Sequence, residues 1–364
     1  MKTRVVLLFG GQSAEHDVSC VSARHVAAAM DPARYVVIPV GITAEGDWVL
    51  PELAMQVLAG GALQVPNDRF VAEGTKLELF GGLGRHTAGS GAGAYGLKAP
   101  TLACDVVFPV LHGPYGEDGS VQGFLEMAGV AYVGSGVLGS AVGMDKQMMK
   151  LAFAAAGLPS PRYEVFRLTE WQSDRQAVLD RASALGFPLF TKPANLGSSV
   201  GISRCPDAGS LEAGIGLAFR HDRKILVEEG VSGREIECAV LGNDDPKASV
   251  CGEIVPGRDF YDYEAKYLEP SSKTLVPADL PKGVGETIRR HAVTAFKAVE
   301  AAGLSRVDFF VAGDGRVLIN EINTMPGFTE ISMFPKLWGA TGIGYSELID
   351  RLIELALERA GAAP

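Results

Sequence analysis

Two carboxylates, an arginine and an amide occupy positions from which they could share one face of a β-hairpin. The segments Val307-Asp308-Phe309-Phe310-Val311 and Val317-Leu318-Ile319-Asn320-Glu321 flank Ala312-Gly313-Asp314-Gly315, and Asp-Gly between apolar runs is a strong hairpin signal. With Asp314 and Gly315 as the two loop residues, Asp308 falls opposite Glu321, and Arg306 opposite Asn323. Opposed carboxylates about 5 Å apart at Cβ repel unless positive charge lies between them. A divalent cation would supply it, and Asp308, Glu321 and Asn323 make an all-oxygen set suited to Mg²⁺. The same residues also fit a solvated polar sheet face carrying a lone arginine.

Other segments point to phosphate and amine chemistry. Gly197-Ser198-Ser199-Val200-Gly201 follows Lys192-Pro193, a strand-to-loop transition whose small residues let backbone N–H groups approach phosphate oxygens. It is either that or a plain connector, and G-x-x-x-x-G-K-[ST] is absent. Glu228 closes an apolar run and Glu235 lies seven residues on. They suit an adenine amino group and a ribose hydroxyl, or else stand as exposed strand-end glutamates. Gly10-Gly11-Gln12-Ser13-Ala14-Glu15-His16 lies between a strand and a helix, where anions bind. Its Glu15 fits a substrate ammonium better than a phosphate, and without G-x-G-x-x-G nicotinamide binding is disfavoured. His112, at a strand end, orients a substrate or caps its loop.

These residues need elements to hold them. At roughly 150 residues per domain, 364 residues predict two or three domains, and an apolar content of 47% is ample for buried cores. The net charge of −10, with no basic run, argues against non-specific nucleic-acid or anionic-membrane binding. Val5–Phe9 is too short for a signal peptide or a membrane span, so a cytoplasmic protein is expected. Five widely spaced cysteines without a C-x-x-C pair suggest reduced, mostly buried thiols.

Val5–Phe9, a helix to Met30 and a strand from Tyr35 read as a βαβ opening. A buried strand over 104–111 ends in the loop His112-Gly113-Pro114-Tyr115-Gly116-Glu117-Asp118-Gly119. The glycine-rich 81–96 reads as a surface insertion without assigned function. A helix over 145–157 followed by Pro159-Ser160-Pro161 places a domain boundary near 146. Beyond it, 188–193 and 224–229 read as strands, 234–241 and 249–255 as an antiparallel pair, 283–302 as a helix, and a closing helix takes Ser346 as N-cap. The polar, tyrosine-rich 256–277 is longer than an ordinary connection and reads as a functional loop.

Taken in order, G10-G-Q-S-A-E-H-D-V-S19, H112-G-P-Y-G-E-D-G119, K192-P-A-N-L-G-S-S-V-G201, Y261-D-Y-E-A-K-Y267 and N320-E-I-N-T-M-P-G-F328 resemble the D-alanine–D-alanine ligase family of the ATP-grasp superfamily. The resemblance runs from residue 5 to about 355. It implies a Rossmann-like α/β substrate-binding domain over 1–145 followed by a two-lobed ATP-grasp fold. Its lobes would span 146–230 and 231–364, with 256–277 as a lid that excludes water. The implied reaction joins two D-alanines with ATP, giving D-alanyl-D-alanine, ADP and phosphate through a D-alanyl phosphate, for peptidoglycan precursors. A carboxylate is a poor electrophile until phosphorylated, and both steps develop negative charge that calls for metal and arginine.

The resemblance also implies roles. Glu15 would anchor the first D-alanine ammonium, with Ser198 and Tyr267 linked to it to hold the lid shut. Lys146 and Lys192, with Lys266 on the lid and the Ser198-Ser199 turn, would contact ATP phosphates. Glu228, Glu229 and Glu235 would take adenine and ribose. Arg306 and the Gly327 N–H would stabilise the acyl phosphate and oxyanion, and His112 would touch substrate. Ser332 and the Met333 backbone would receive the second D-alanine carboxylate. Asp308, Glu321 and Asn323 would hold Mg²⁺, two ions, with Mn²⁺ an acceptable substitute. A homodimer is expected. Two rivals are a D-alanine–D-lactate depsipeptide ligase, against which Tyr267 argues, and an inactive ATP-binding regulatory protein, against which the intact Arg306, Asp308, Glu321, Asn323 set argues.

Overall fold

The computed structural model describes residues 1–49, 51–60, 104–255, 273–329 and 331–361. Tyr267, Lys266, the expected lid over 256–272 and the glycine-rich 81–96 lie outside the described residues. Among those described, no helix is long and apolar enough to cross a membrane.

The first sheet has the order β3-β2-β1-β4-β5, built from Thr3–Gly10 (β1), Tyr35–Ile42 (β2), Trp48–Val49 (β3), Val106–Leu111 (β4) and Ala131–Tyr132 (β5). The β1-β2, β1-β4 and β4-β5 pairs are parallel. Val5 to Phe9 and all of β4 are buried, as expected of parallel strands covered on both faces. The βαβ reading holds, with α1 at His16–Ala29. Gly10 pairs with Leu111, so the loops beginning at Gly11 and His112 leave neighbouring strands side by side. Parallel sheets place ligands at such strand ends.

The second sheet is antiparallel, in the order β6-β9-β7-β8, from Tyr163–Arg167 (β6), Leu189–Pro193 (β7), Ser203–Cys205 (β8) and Lys224–Glu229 (β9). Phe166, Leu189, Ile225 and Val227 join Trp171, Leu211 and Ile215 in its own core. The helix ahead of it is Lys146–Ala155 (α2 to α5 in chain order being Pro51–Leu58, Ser120–Met127, Val137–Met144 and this one). Asp145 caps it, its Oδ1 accepting from the Gln147 and Met148 N–H groups at 3.1 Å.

The third sheet is antiparallel, in the order β12-β11-β10-β13-β14, from Gly233–Gly242 (β10), Lys247–Val255 (β11), Lys273–Leu275 (β12), Gly303–Ala312 (β13) and Val317–Asn323 (β14). The helix expected over 283–302 is Val284–Ala298, shorter because Glu300 takes left-handed backbone at φ 56° and the Ala301 N–H turns back to the Phe296 carbonyl at 3.0 Å, a helix-ending pattern. It buries Ile288, Ala292, Ala295 and Phe296, one helical stripe. The closing helix is Tyr345–Gly361, so Ser346 lies inside its first turn rather than capping it. The expected lid loop is shorter at its end, since residues 273–275 pair with β11 as a strand.

The hairpin differs from expectation in a way that cancels. Ala312 N–H donates to the Arg316 carbonyl at 2.9 Å, which leaves a three-residue loop, Gly313-Asp314-Gly315, with Gly315 left-handed at φ 86°. Near the turn the register is therefore Val311↔Val317 and Phe309↔Ile319, one residue off the two-residue-loop register. A bulge between Asp308 and Phe309 on one strand, with Asn320 as the extra residue on the other, restores it. Asp308 then pairs with Glu321 and Arg306 with Asn323, as the sequence predicts.

Candidate active site

The three sheets meet at one cleft, lined by Glu15, His112, Glu117, Lys146, Ser198, Ser199, Glu237, Arg306, Glu321, Asn323, Gly327, Ser332 and Met333 among others. Eleven of these were expected from sequence; Glu117 and Glu237 were not. Lys192, Glu228, Glu229, Glu235 and Asp308 do not line it.

On the first-sheet side, the turn after β1 needs glycine. At Gly10, φ is 90° and a Cβ would stand 2.0 Å from the Ile42 carbonyl oxygen. Ser19 Oγ accepts from the Gly10 N–H at 2.8 Å and donates to the Val110 carbonyl, tying α1 to the strand ends. The Glu15 carboxylate lies 3.4 Å from the Cβ positions of both Gly113 and Gly197, so it sits where the loop after β4 meets the loop after β7. His112 is 5% exposed, and its Nδ1 lies 3.0 Å from the Met325 carbonyl. That acceptor requires Nδ1 to carry the proton, leaving Nε2, buried and without a hydrogen-bond partner among the described residues, with its lone pair. Burial lowers the His112 pKa against the pull of Glu15. Burial and the nearby Glu15 charge raise Glu117 to about 8, although the Gly113 N–H donates to it at 2.7 Å.

On the second-sheet side, Ser198 and Ser199 take left-handed backbone, φ 50° and 59°. Such values are uncommon in non-glycine residues and recur at ligand sites. Ser198 Oγ is buried without a hydrogen-bond partner among the described residues, an acceptor and donor awaiting one. Lys146 is buried, not solvated, and its Nζ donates to the Leu196 carbonyl at 2.5 Å, bracing the same loop.

Glu228 is neither exposed nor open to solvent. Its carboxylate accepts from Lys150 Nζ at 2.5 Å and is ion-paired with Lys192, with side chains 1% (Lys150) and 2% (Glu228) exposed. Burial would raise its pKa, but the two ammonium groups override this and hold it at about 2. Glu229, one residue on and partly exposed, pairs with Arg162 at 2.7 Å. Glu235 on β10 lies close enough to support the Lys192 charge. Lys150 was missed in the sequence; its signal is a second lysine one helical turn after Lys146.

The third sheet supplies the charge. Glu237 pairs with Asp308 across β10 and β13, and Asp308 with Glu321 across β13 and β14, so three carboxylates form one row on one face. The next row carries Arg306 and Asn323. Arg306 donates two bonds to Asp308 at 2.8 and 2.7 Å and pairs with Glu237 at 3.1 Å. Burial disfavours its charge, but Asp308 and Glu237 raise its pKa well above normal. Asn323 Nδ2 donates to Asp308 at 3.1 Å. Among the described residues no three His, Cys, Asp or Glu side chains converge as a preformed metal cage. Three carboxylates against one guanidinium nonetheless leave an excess of negative charge, and the all-oxygen donors fit a hard cation that keeps waters and phosphate ligands. Glu237 was legible as the next same-face residue after Glu235.

Gly327 abuts Ser332, whose Oγ lies 2.8 Å from a Cβ position on Gly327 and accepts from the Thr329 N–H at 3.0 Å. Met333, 5% exposed, opens the helix Met333–Thr341.

The chain matches two family models along its length, "D-ala D-ala ligase N-terminus" over residues 4–135 and "D-ala D-ala ligase C-terminus" over 152–354. It is 51% identical over 360 residues to the D-alanine–D-alanine ligase of Geobacillus kaustophilus, covering 99% of this chain and 96% of that one. To the enzyme of that name from Halothermothrix orenii it is 46% identical, covering 98% and 99%. Among solved structures it resembles the D-alanine–D-alanine ligase from Coxiella burnetii, with TM-score 0.79, 35% identity and coverage of 99% and 95%. It also resembles the VanG D-Ala:D-Ser ligase from Enterococcus faecalis, with TM-score 0.82, 34% identity and coverage of 98% and 100%. The first sheet, parallel but for its edge strand β3, followed by two antiparallel sheets is accordingly an α/β domain leading into an ATP-grasp fold. Sequence models, full-length relatives and the cleft at the meeting of the sheets agree: the chain belongs to the D-alanine–D-alanine ligase family.

Proposed function

We propose that this protein joins two D-alanine molecules to D-alanyl-D-alanine at the expense of ATP, releasing ADP and phosphate, for peptidoglycan precursor synthesis. The observation that carries this reading is that one cleft is lined by a carboxylate able to take an ammonium group, Glu15, by a buried guanidinium, Arg306, and by the sheet carboxylates Glu237 and Glu321. An amino acid bound by its ammonium at Glu15 would turn its carboxylate toward Arg306. Phosphorylation makes that carboxylate an electrophile, and the amine of a second D-alanine then displaces phosphate.

Arg306 and the Gly327 N–H would stabilise the charge that develops in both steps. Ser332 and the Met333 backbone would receive the second carboxylate. His112, neutral with Nε2 as acceptor, would orient substrate. The buried Ser198 hydroxyl would find its partner in Tyr267 and Glu15. Lys146, Lys192 and Lys266, with Ser199, would hold ATP phosphates, and Glu228, Glu229 and Glu235 would serve adenine and ribose. Asp308, Glu321 and Asn323 would hold Mg²⁺, in two ions or with Mn²⁺ in its place; the metal would neutralise phosphate charge. Domains over 1–145, 146–230 and 231–364, a lid formed by 256–272, ahead of the strand Lys273–Leu275, a homodimer and a cytoplasmic site of action complete the reading.

Phosphate release from Mg-ATP tests it, with D-alanine, L-alanine, D-alanine plus D-lactate, or D-alanine plus D-serine, and the product weighed by mass spectrometry. Release that requires D-alanine and yields the D-alanyl dipeptide is expected. A D-alanyl-D-lactate or D-alanyl-D-serine product as the main species would reassign the second site, and release independent of any D-amino acid would overturn the substrate.

A further inference from the structure

β14 is an edge strand, and its outward polar groups need partners from outside the sheet. The helix Lys146–Ala155 and the link after it supply them. Ile319 N–H donates to the Pro159 carbonyl at 2.8 Å, and Ile322 N–H to Met149 Sδ at 3.4 Å. Between them lies Asn320, the extra residue of the bulge. Its carbonyl accepts from Lys150 Nζ and its side-chain oxygen from Lys192 Nζ, both at 3.4 Å. Both lysines also grip Glu228 on the second sheet, and both feel the charge of Glu321. The bulge matters because a strand's side chains alternate: without the extra residue, Glu321 and Asn323 would turn to the opposite face.

We propose that Lys150 is a positioning residue that, through Glu228 and Asn320, pins the bulge in β14 and so holds Glu321 and Asn323 on the face of Asp308. Lys150 lines no part of the cleft and acts only through these neighbours. A lysine buried with 1% exposure is costly unless paired, and here its one strong partner lies on a different sheet from the strand it steadies. The inference rests on the reading of Asp308, Glu321 and Asn323 as metal ligands.

The test compares wild type with Lys150→Met by Mn²⁺ titration in the presence of ADP, followed by electron paramagnetic resonance of free Mn²⁺, and by amide hydrogen exchange. Mn²⁺ binding should weaken by about tenfold or more, the scale of losing a group that orients metal ligands. Exchange should quicken in residues 317–323 while β10 stays protected, and Lys150→Arg should recover most of the Mn²⁺ affinity. Unchanged affinity and exchange in Lys150→Met would overturn the inference, as would a loss of protection spread evenly over the chain, which marks a merely structural lysine. If Lys150→Met does not fold, Lys150→Gln takes its place, and wild-type behaviour of that variant counts against the inference. A wild-type protein that binds no Mn²⁺ with ADP would overturn the metal reading and this inference together, which separates the two failures.

Discussion

A carboxyl group buried beside a second carboxylate holds its proton, and Glu117 is in that position. Burial and Glu15 raise it from 4.5 to about 8, so near neutrality the folded protein keeps a proton that the unfolded chain has released. Stability linked to this group is therefore highest below the unfolded value and falls as pH rises from 4.5 to about 8, beyond which it levels off. Glu117→Gln, which keeps the oxygen that accepts from Gly113, removes the dependence. Denaturant midpoints at pH 5, 7 and 8.5 should show the variant gaining on wild type as pH rises, by a few kcal/mol at most given about 1.4 kcal/mol per unit. Parallel curves would mean that Glu117 ionises normally in the folded protein.

At the scale of elements, what decides the site is where strands stop and how they pair. Gly10 ends β1 with φ 90° and no room for a Cβ, whereas Gly283, with φ 83°, has nothing within 4 Å. Gly283→Ala should thus cost only the left-handed strain, about 1 kcal/mol. Gly10→Ala adds a clash with the Ile42 backbone and should cost several kcal/mol, measured by chemical denaturation; similar losses in both would show that the β1 turn relaxes freely. The β1 turn, the βαβ unit and the antiparallel pair were legible because glycine, apolar runs and alternation report local conformation. The pairing of Asp308 with Glu321 and of Arg306 with Asn323 was legible while the hairpin's turn was not: Gly313 joins the loop, and the bulge at Asn320 compensates at a distance that no local rule reads. The burial of Glu228 in an ion pair was not legible because its partner Lys150 comes 78 residues earlier. Glu117 was visible only as a loop residue, since its burial depends on how the sheets come together.

At the scale of the molecule, the segment Met325–Thr329 fastens the third sheet to the first. Met325 accepts from His112, Phe328 N–H donates to Ser22 Oγ at 3.3 Å, and Tyr345 Oη donates to the Phe328 carbonyl at 2.6 Å. The Phe328 ring, fully buried, meets Phe108 of β4 edge to face at 5.8 Å and Phe334 at 5.5 Å. The core that contains it runs from Val5 and Phe9 to Leu337 and Ile353, so both ends of the chain share it. The lysines proposed to hold the nucleotide, Lys146 and Lys192, lie on other elements, the Lys146–Ala155 helix and β7. Phe328→Ala should therefore cost about 3–5 kcal/mol of stability and do unequal damage to function. Loosening Gly327 and Ser332 should raise KM for D-alanine severalfold while the affinity for ADP stays close to wild type, because the proposed phosphate contacts Lys146 and Lys192 are carried by other elements. Equal losses for both ligands, measured on protein verified as folded, would mean that the seam sets the opening of the whole cleft rather than the amino-acid half alone.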